Sequence, residues 1–266
     1  MSLLIRVKDA NYRATRTGFY PPVAEKLHGW FFCGGSLPES SQNYLNGGSP
    51  GAATAGLVNT NDLTNGVSVS SAVQNTFWET AKTCSFILVA SAPKGNNLAV
   101  GNSWASTPNA NGNYVNSGLN SRLFNNLEYD IRTQLSYYTN PTDVRSLLES
   151  DIRVDGNAAW QSNPINFICG TIDAANMAAA KARIYLRNVN GVVGDKTVTA
   201  DLTGKTLDFR NLGVYGVSSP AVGGNVTTAA KIYAAALFSK ALSTVEIEKL
   251  HSYFKGYYDR RNVTGL

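Results

Sequence analysis

Two pairs of acids carry a spacing that glycosidic-bond chemistry could use. Glu128-Tyr-Asp130 and Glu149-Ser-Asp151 each place carboxylates at i and i+2, which share one face if the segment is a strand. Glycan hydrolysis takes two carboxyl groups facing one another across a cleft. Glu128 and Asp130 fall on a segment that reads as a strand. Glu149 and Asp151 fall where a short helix is expected to end. Solvated strand and helix-end acids are the plainer reading of both, so no catalytic residue is assigned. His28 and His251 are the only histidines. His28 precedes an aromatic strand and reads as a packed residue. His251 reads as a partly exposed position on a C-terminal helix. No nucleophile elbow, phosphate-cradling loop or zinc-ligand set is present.

Binding chemistry is better supplied than bond-breaking chemistry. The stretch from 95 to 126 contains a single charged residue, Arg122, and is rich in Asn. Asn109, Asn111, Asn113 and Asn116 surround Trp104 and Tyr114 there. Aromatic faces stack on the apolar patches of pyranoses, and an amide both donates to and accepts from hydroxyls. These six residues are therefore the candidate glycan site. The alternative is that Asn and Gly serve turns and Trp104 fills a core. A second oxygen-rich cluster, Asn59-Thr-Asn-Asp-Leu-Thr-Asn65, offers Asn59, Asn61 and Asp62 as calcium ligands. With one carboxylate it would bind Ca²⁺ weakly.

Strands are expected to position these groups. His28–Cys33 reads as the first, stopped by Gly34-Gly35, and the Ser/Asn/Gly/Thr-rich run 36–69 reads as a long loop region. Cys84–Ala90 is apolar at every position but Ser85 and predicts a central strand. Tyr129–Tyr138 alternates and predicts another. Asn140-Pro141 predicts the start of a short helix carrying Val144, Leu147 and Leu148 on one face. Ile152–Asn157 reads as strand then turn. Strands are expected at Ile165–Thr171, Ala182–Val189, Val198–Leu202, Leu207–Val217 and Lys231–Phe238, with Gly191 and Gly204 at turns. Ala174–Ala182 is either a helix or an elaborated turn. Ser243-Thr-Val-Glu246 is a capping box. Ile247, Leu250 and Phe254 follow at helical spacing, so an amphipathic helix closes the chain with its apolar side on the body of the protein.

About a dozen strands against two or three short helices define an all-β, two-sheet sandwich. The 266 residues suit one large sandwich, 27–266, preceded by an extended N-terminal arm, 1–26, that carries Pro21-Pro22. Only 15% of residues are charged and 43% are hydrophobic, which permits a sizeable core and argues against a helical bundle or disorder. The net charge of +5 arises from few acids. The basic residues are too sparse for a nucleic-acid arm. No apolar run reaches the roughly 20 residues that span a bilayer, and no secretory signal is read at the start. Cys33, Cys84 and Cys169 each lie among apolar neighbours and read as reduced core thiols made in a cytoplasm.

The segment Lys231–Leu250 resembles the closing motif of concanavalin A-like lectin/glucanase domains of the laminin-G type. In that family a strand leads to an aromatic residue, an Ala-Leu-Ser triplet and a capped Glu-Ile helix. Here these are Phe238, Ala241-Leu242-Ser243 and Glu246-Ile247. Ala182–Gly191 is similar to the family's Leu-Tyr-x-Asp/Asn-Gly strand and turn. The match covers about the last 90 residues, with a loose register back to about residue 80. It implies an antiparallel jelly roll, a C-terminal helix protecting a sheet edge or end, and a few short helices. The family's glucanases carry a third acid shortly after the first two, where this chain has Arg132 and Thr133. Its lyases need a His and Tyr constellation that Tyr253-Phe-Lys-Gly256 echoes only superficially. The opening, Met1–Tyr12, resembles phage and prophage tail-associated proteins that carry such domains. The resemblance implies a non-enzymatic virion protein, made in the host cytoplasm. It would attach to a surface glycan or to other tail proteins and assemble as a homo-oligomer, such as a trimer. A non-viral lectin-like adhesion module and a glycan-cleaving enzyme are the alternatives.

Overall fold

The computed structural model describes residues 20–34, 37–40, 42–45, 52–53, 57–58, 67–69, 73–74, 82–91, 99–101, 118–124, 128–140, 146–155, 165–208 and 231–266. Fifteen strands run through them: β1 Leu27–Phe32, β2 Ala52–Ala53, β3 Leu57–Val58, β4 Val67–Val69, β5 Val73–Gln74, β6 Thr83–Ala90, β7 Ala99–Gly101, β8 Gly118–Phe124, β9 Glu128–Tyr138, β10 Ser146–Asp155, β11 Asn166–Asp173, β12 Ala180–Asn188, β13 Gly191–Ala200, β14 Thr206–Asp208 and β15 Lys231–Phe238. A four-residue helix, α1 (Leu37–Ser40), follows β1, and a long one, α2 (Thr244–Asp259), follows β15.

The fold is an all-β antiparallel sandwich. The larger sheet runs β13-β12-β11-β6-β15-β4-β3, with β1 also on β15. The smaller runs β10-β9-β8-β7, with β14 also on β9. β2 and β5 form a separate two-stranded ribbon.

The central strands β6, β11 and β15 of the larger sheet are buried on both faces, which explains their nearly unbroken apolar sequences. Along β6, Cys84, Phe86 and Leu88 point into the core shared with the smaller sheet, where they meet Ile131, Leu135, Leu148 and Ile152. Ile87 and Val89 point the other way, into a second core beneath α2. On β15 a bulge between Ile232 and Ala234 shifts the alternation, so Ala235 and Leu237 face the first core while Tyr233 and Phe238 face the second.

α2 keeps the expected capping box. Ser243 Oγ accepts from the Glu246 backbone N–H, and Glu246 Oε2 accepts from the Ser243 N–H at 2.9 Å. The helix does not guard a sheet edge. Ile247, Leu250, Phe254, Tyr257 and Tyr258 lie across the face made by β1, β6, β11 and β15. Trp30 stacks on Phe254 at 4.7 Å between ring centroids and Phe32 on Tyr257 at 4.1 Å. Small residues on β15, Ala234 and Ala236, leave room for this aromatic layer.

Two further expectations are corrected. Residues 146–155 form strand β10, where a helix had been expected to run through Leu147 and Leu148. Ten consecutive residues pair with β9, from Ser146↔Tyr137 to Asp155↔Glu128, and Leu148 and Ile152 turn into the core at strand spacing. Within 36–69, β2, β3 and β4 interrupt the supposed loop, and β3 and β4 extend the larger sheet. The ambiguous Ala174–Ala182 stretch resolves into a 3₁₀ turn, Met177–Ala179, capped by Asn176, leading into β12. Gly191 and Gly204 do sit at turns, both at positive φ, 104° and 72°, which L side chains rarely adopt. Cys33, Cys84 and Cys169 are buried and form no disulfide, and burial pushes the Cys169 thiol up to about 12.

Candidate functional site

The candidate glycan residues Trp104, Asn109, Asn111, Asn113, Tyr114 and Asn116 lie outside the described residues, as do the candidate calcium ligands Asn59, Asn61 and Asp62. The strands that frame them are described. Val58 pairs with Ser68, so residues 59–66 connect adjacent strands of the larger sheet. Gly101 pairs with Gly118, so residues 102–117 join β7 to β8 in the smaller sheet.

The departure point of that second connection is specific. β10 occupies one edge of β9. β8 and β14 share the other edge: β8 starts with Gly118 opposite Gln134, and β14 ends with Asp208 opposite Ser136. Gly118, the first residue of β8, therefore lies at the junction between β8 and β14, beside the middle of β9.

Alternation decides what β9 presents there. Ile131 and Leu135 enter the core. Arg132, Gln134, Ser136 and Tyr138 take the opposite face, and all four are buried. Arg132 Nη1 donates to Glu149 Oε2 of β10 at 2.8 Å. Gln134 is fully buried, and neither its Oε1 nor its Nε2 has a hydrogen-bond partner. A buried amide left unsatisfied costs on the order of 1–3 kcal/mol per group, so this face carries an unmet demand for a donor and an acceptor side by side.

The carboxylate pairs can now be placed. Glu149 and Asp151 share the outer face of β10, on a strand and not at a helix end. Each has its own cation: Arg132 for Glu149, and Lys196 of β13, whose Nζ donates to Asp151 Oδ1 at 2.7 Å. They lie side by side on one strand and do not oppose one another across a cleft. Glu128 and Asp130 lie at the start of β9. Register sets Asp130 opposite Arg122 and Arg153, and Glu128 opposite Phe124 and Asp155.

The histidines sit elsewhere. His28 Nε2 lies 2.6 Å from Ser239 Oγ, where β1 meets the end of β15. His251, expected to be partly exposed, is buried on the inner face of α2, edge-on to Phe167 at 5.5 Å. Burial first, then the Arg187 cation, push its imidazole down to about 4. Beside it Glu248 accepts from both the Tyr185 hydroxyl and Arg187 Nη1. Burial and that carboxylate hold the Tyr185 hydroxyl up at about 12, so it is a donor and not a base at neutral pH. Sequence reading missed this clamp. The Arg183-x-Tyr185-x-Arg187 alternation marked one face of a strand, but nothing local tied it to Glu248. Among the described residues no group of three or more His, Cys, Asp or Glu is placed to hold a metal ion.

Fold and site together define a class: an antiparallel β-sandwich with one sheet backed by a helix and a polar face on the other. Solved structures with this fold include HCR/D in a Trp-to-Ala mutant form, at TM-score 0.50 and 14% identity, covering 87% of this chain and 51% of that one. The binding domain of botulinum neurotoxin serotype D follows at TM-score 0.46 and 13% identity, covering 87% and 51%. The CBM40 of Ruminococcus gnavus IT-sialidase, bound to alpha2,3 sialyllactose, reaches TM-score 0.37 and 10% identity, covering 69% and 94%. The first is a likeness of fold, and this chain spans about half that structure's length, 51%. The other two scores are too low to carry an argument. No protein-family model matches the chain, and no curated protein matches it.

Proposed function

We propose that this chain is a non-catalytic, lectin-like sandwich that attaches to a surface glycan through the polar face of its smaller sheet and the 102–117 connection. The supporting observation is the register Gly118↔Gln134. It joins the Asn-rich connection carrying Trp104 and Tyr114 to the polar face of β9 in sequence. Sugar hydroxyls donate and accept at once, as the amides of that connection do. Asn109, Asn111, Asn113 and Asn116 supply those amides, and the two aromatics add stacking faces. Calcium held by Asn59, Asn61 and Asp62 would stiffen a second connection.

The setting we propose is the virion: a tail-associated protein whose lectin-like body contacts the host or neighbouring tail proteins. The resemblance of the opening residues and the low-charge, Asn- and Gly-rich composition support it. The test is a glycan array probed with the chain and with Trp104→Ala and Tyr114→Ala. Binding should appear with the parent chain and fall about tenfold in each variant, the loss of an aromatic contact worth on the order of 1.4 kcal/mol. An unchanged binding profile removes the site. Polysaccharide cleavage that Glu128→Gln abolishes would replace the non-catalytic reading with an enzymatic one.

A further inference from the structure

β12 ends at Asn188 and β13 begins opposite it at Gly191, so Val189 and Asn190 make the whole connection between them. Gly191 takes a φ of 104°, while Val189 and Asn190 stay out of the left-handed region. This is the pattern of a short hairpin loop closed by a left-handed glycine, and an L side chain in its place would be strained. The backbone of the tip is held at two points. Asn188 Oδ1 accepts from the Asn190 N–H at 2.9 Å, and the Val189 N–H donates to the Gly265 carbonyl at 3.2 Å. The Asn190 side chain is not held. It is exposed, and its amide makes no hydrogen bond to any described residue. Val189 and Val192 on either side are 58% and 53% exposed, so water reaches the tip from both flanks. A Cβ on Gly191 would meet nothing within 4 Å, so the space beside its nitrogen is open.

We infer that this hairpin tip is a site of self-modification, in which the Asn190 side chain closes onto the backbone nitrogen of Gly191 and is deamidated by water. Hydroxide removes the Gly191 amide proton. The nitrogen then attacks Asn190 Cγ. A C–N bond forms, the Cγ–Nδ2 bond breaks, and ammonia leaves with a proton taken from water, which returns the hydroxide. Water next opens the five-membered imide at one of its two carbonyls. Opening at Cγ leaves aspartate. Opening at the main-chain carbonyl leaves isoaspartate, with the chain now running through the former side chain. Water is the only co-reactant, and nothing is oxidised or reduced. The glycine that the turn requires is also what permits the attack, because no side chain shields its nitrogen. Either product adds a carboxylate and lowers the formal net charge of +5 by one. Isoaspartate also lengthens the main chain by one carbon where the Asn188↔Gly191 pairing begins.

No residue of the proposed glycan site takes part in this chemistry, so the two proposals can fail separately. The full chain is incubated folded in warm, mildly alkaline buffer, beside a synthetic peptide of residues 188–196. Trypsin releases the same fragment from the protein, cutting after Arg187 and Lys196. Mass spectrometry of the fragment should show an amide exchanged for an acid at Asn190, in both the aspartate and the isoaspartate forms. The rate should lie within about tenfold of the free peptide's, a barrier difference of at most about 1.4 kcal/mol. A zero-time digest sets the level that digestion itself introduces. Asn46, Asn65 and Asn111 also precede glycine, and the fragment separates Asn190 from all three. Asn190→Gln should abolish the exchange, because the longer side chain would have to close a six-membered ring. Position 190 is exposed, so this variant should keep the parent's thermal melting midpoint. A fragment that stays unconverted in the folded chain while the free peptide converts overturns the inference. So does an exchange that falls on Asn188.

Discussion

His251 lies in the aromatic layer under α2, with Phe167 at its edge and Nε2 without a partner. The charged groups bearing on it are Arg187 of β12, with Glu248 and Lys255 of its own helix; Arg187 and Lys255 disfavour a second positive charge, and Glu248 favours it. Its folded-state value of about 4 lies below the ordinary 6.5. Between those values the unfolded chain binds the proton that the folded chain refuses, so stability is full above pH 6.5 and falls with falling pH. From pH 7 to about pH 5, above the carboxylate range, the loss should be about 2 kcal/mol. Urea midpoints at the two pH values measure it, and His251→Gln should flatten the difference. A parent protein with equal midpoints would show that the imidazole charges freely in the folded state.

α2 combines a local signal with a tertiary one, and the two have different weights. The capping box joins residues three apart, and Ser243→Ala should cost about 1 kcal/mol. Phe254 stacks on Trp30 and touches Phe32 and Phe167 from the neighbouring sheet. Phe254→Ala should cost about 3–5 kcal/mol, since it leaves a cavity between helix and sheet. Denaturant unfolding of both variants gives the ratio directly; equal losses would mean that the helix contributes as an isolated segment. The same contrast explains what was legible. The Ser243–Glu246 box and the Ile247, Leu250, Phe254 spacing announced the helix. The Asn140-Pro141 start with Leu147 and Leu148 announced another, yet from Ser146 onward the chain is strand β10. Pairing with β9 overrode that local preference, because a strand there buries Leu148 and Ile152 and lays ten residues in register with β9.

The two sheets meet closely along the β10–β13 side. Ser150 Oγ donates to the Lys196 carbonyl at 2.8 Å, and Gly194 faces Ile152 so tightly that a Cβ would stand 2.7 Å from its Cδ1. Gly194 is required here for close approach, not for an unusual φ. Gly194→Ala should destabilise the whole sandwich by about 1–3 kcal/mol through overpacking. Adding Ile152→Val should recover part of that loss, and a double-mutant cycle on thermal melts measures the coupling. Additive effects would place the two residues apart.

Short-range pattern was enough to determine that this chain forms an all-β sandwich with doubly buried central strands and a capped closing helix. Each of those features is written within ten or so neighbouring residues, as an apolar run, an alternation or a cap. Only the tertiary structure decided that α2 covers a face, that Glu149 and Asp151 take their cations from β9 and β13, and that Gln134 stands opposite Gly118. Those outcomes depend on register between strands far apart in the chain, where a slip of one residue turns every side chain to the other face.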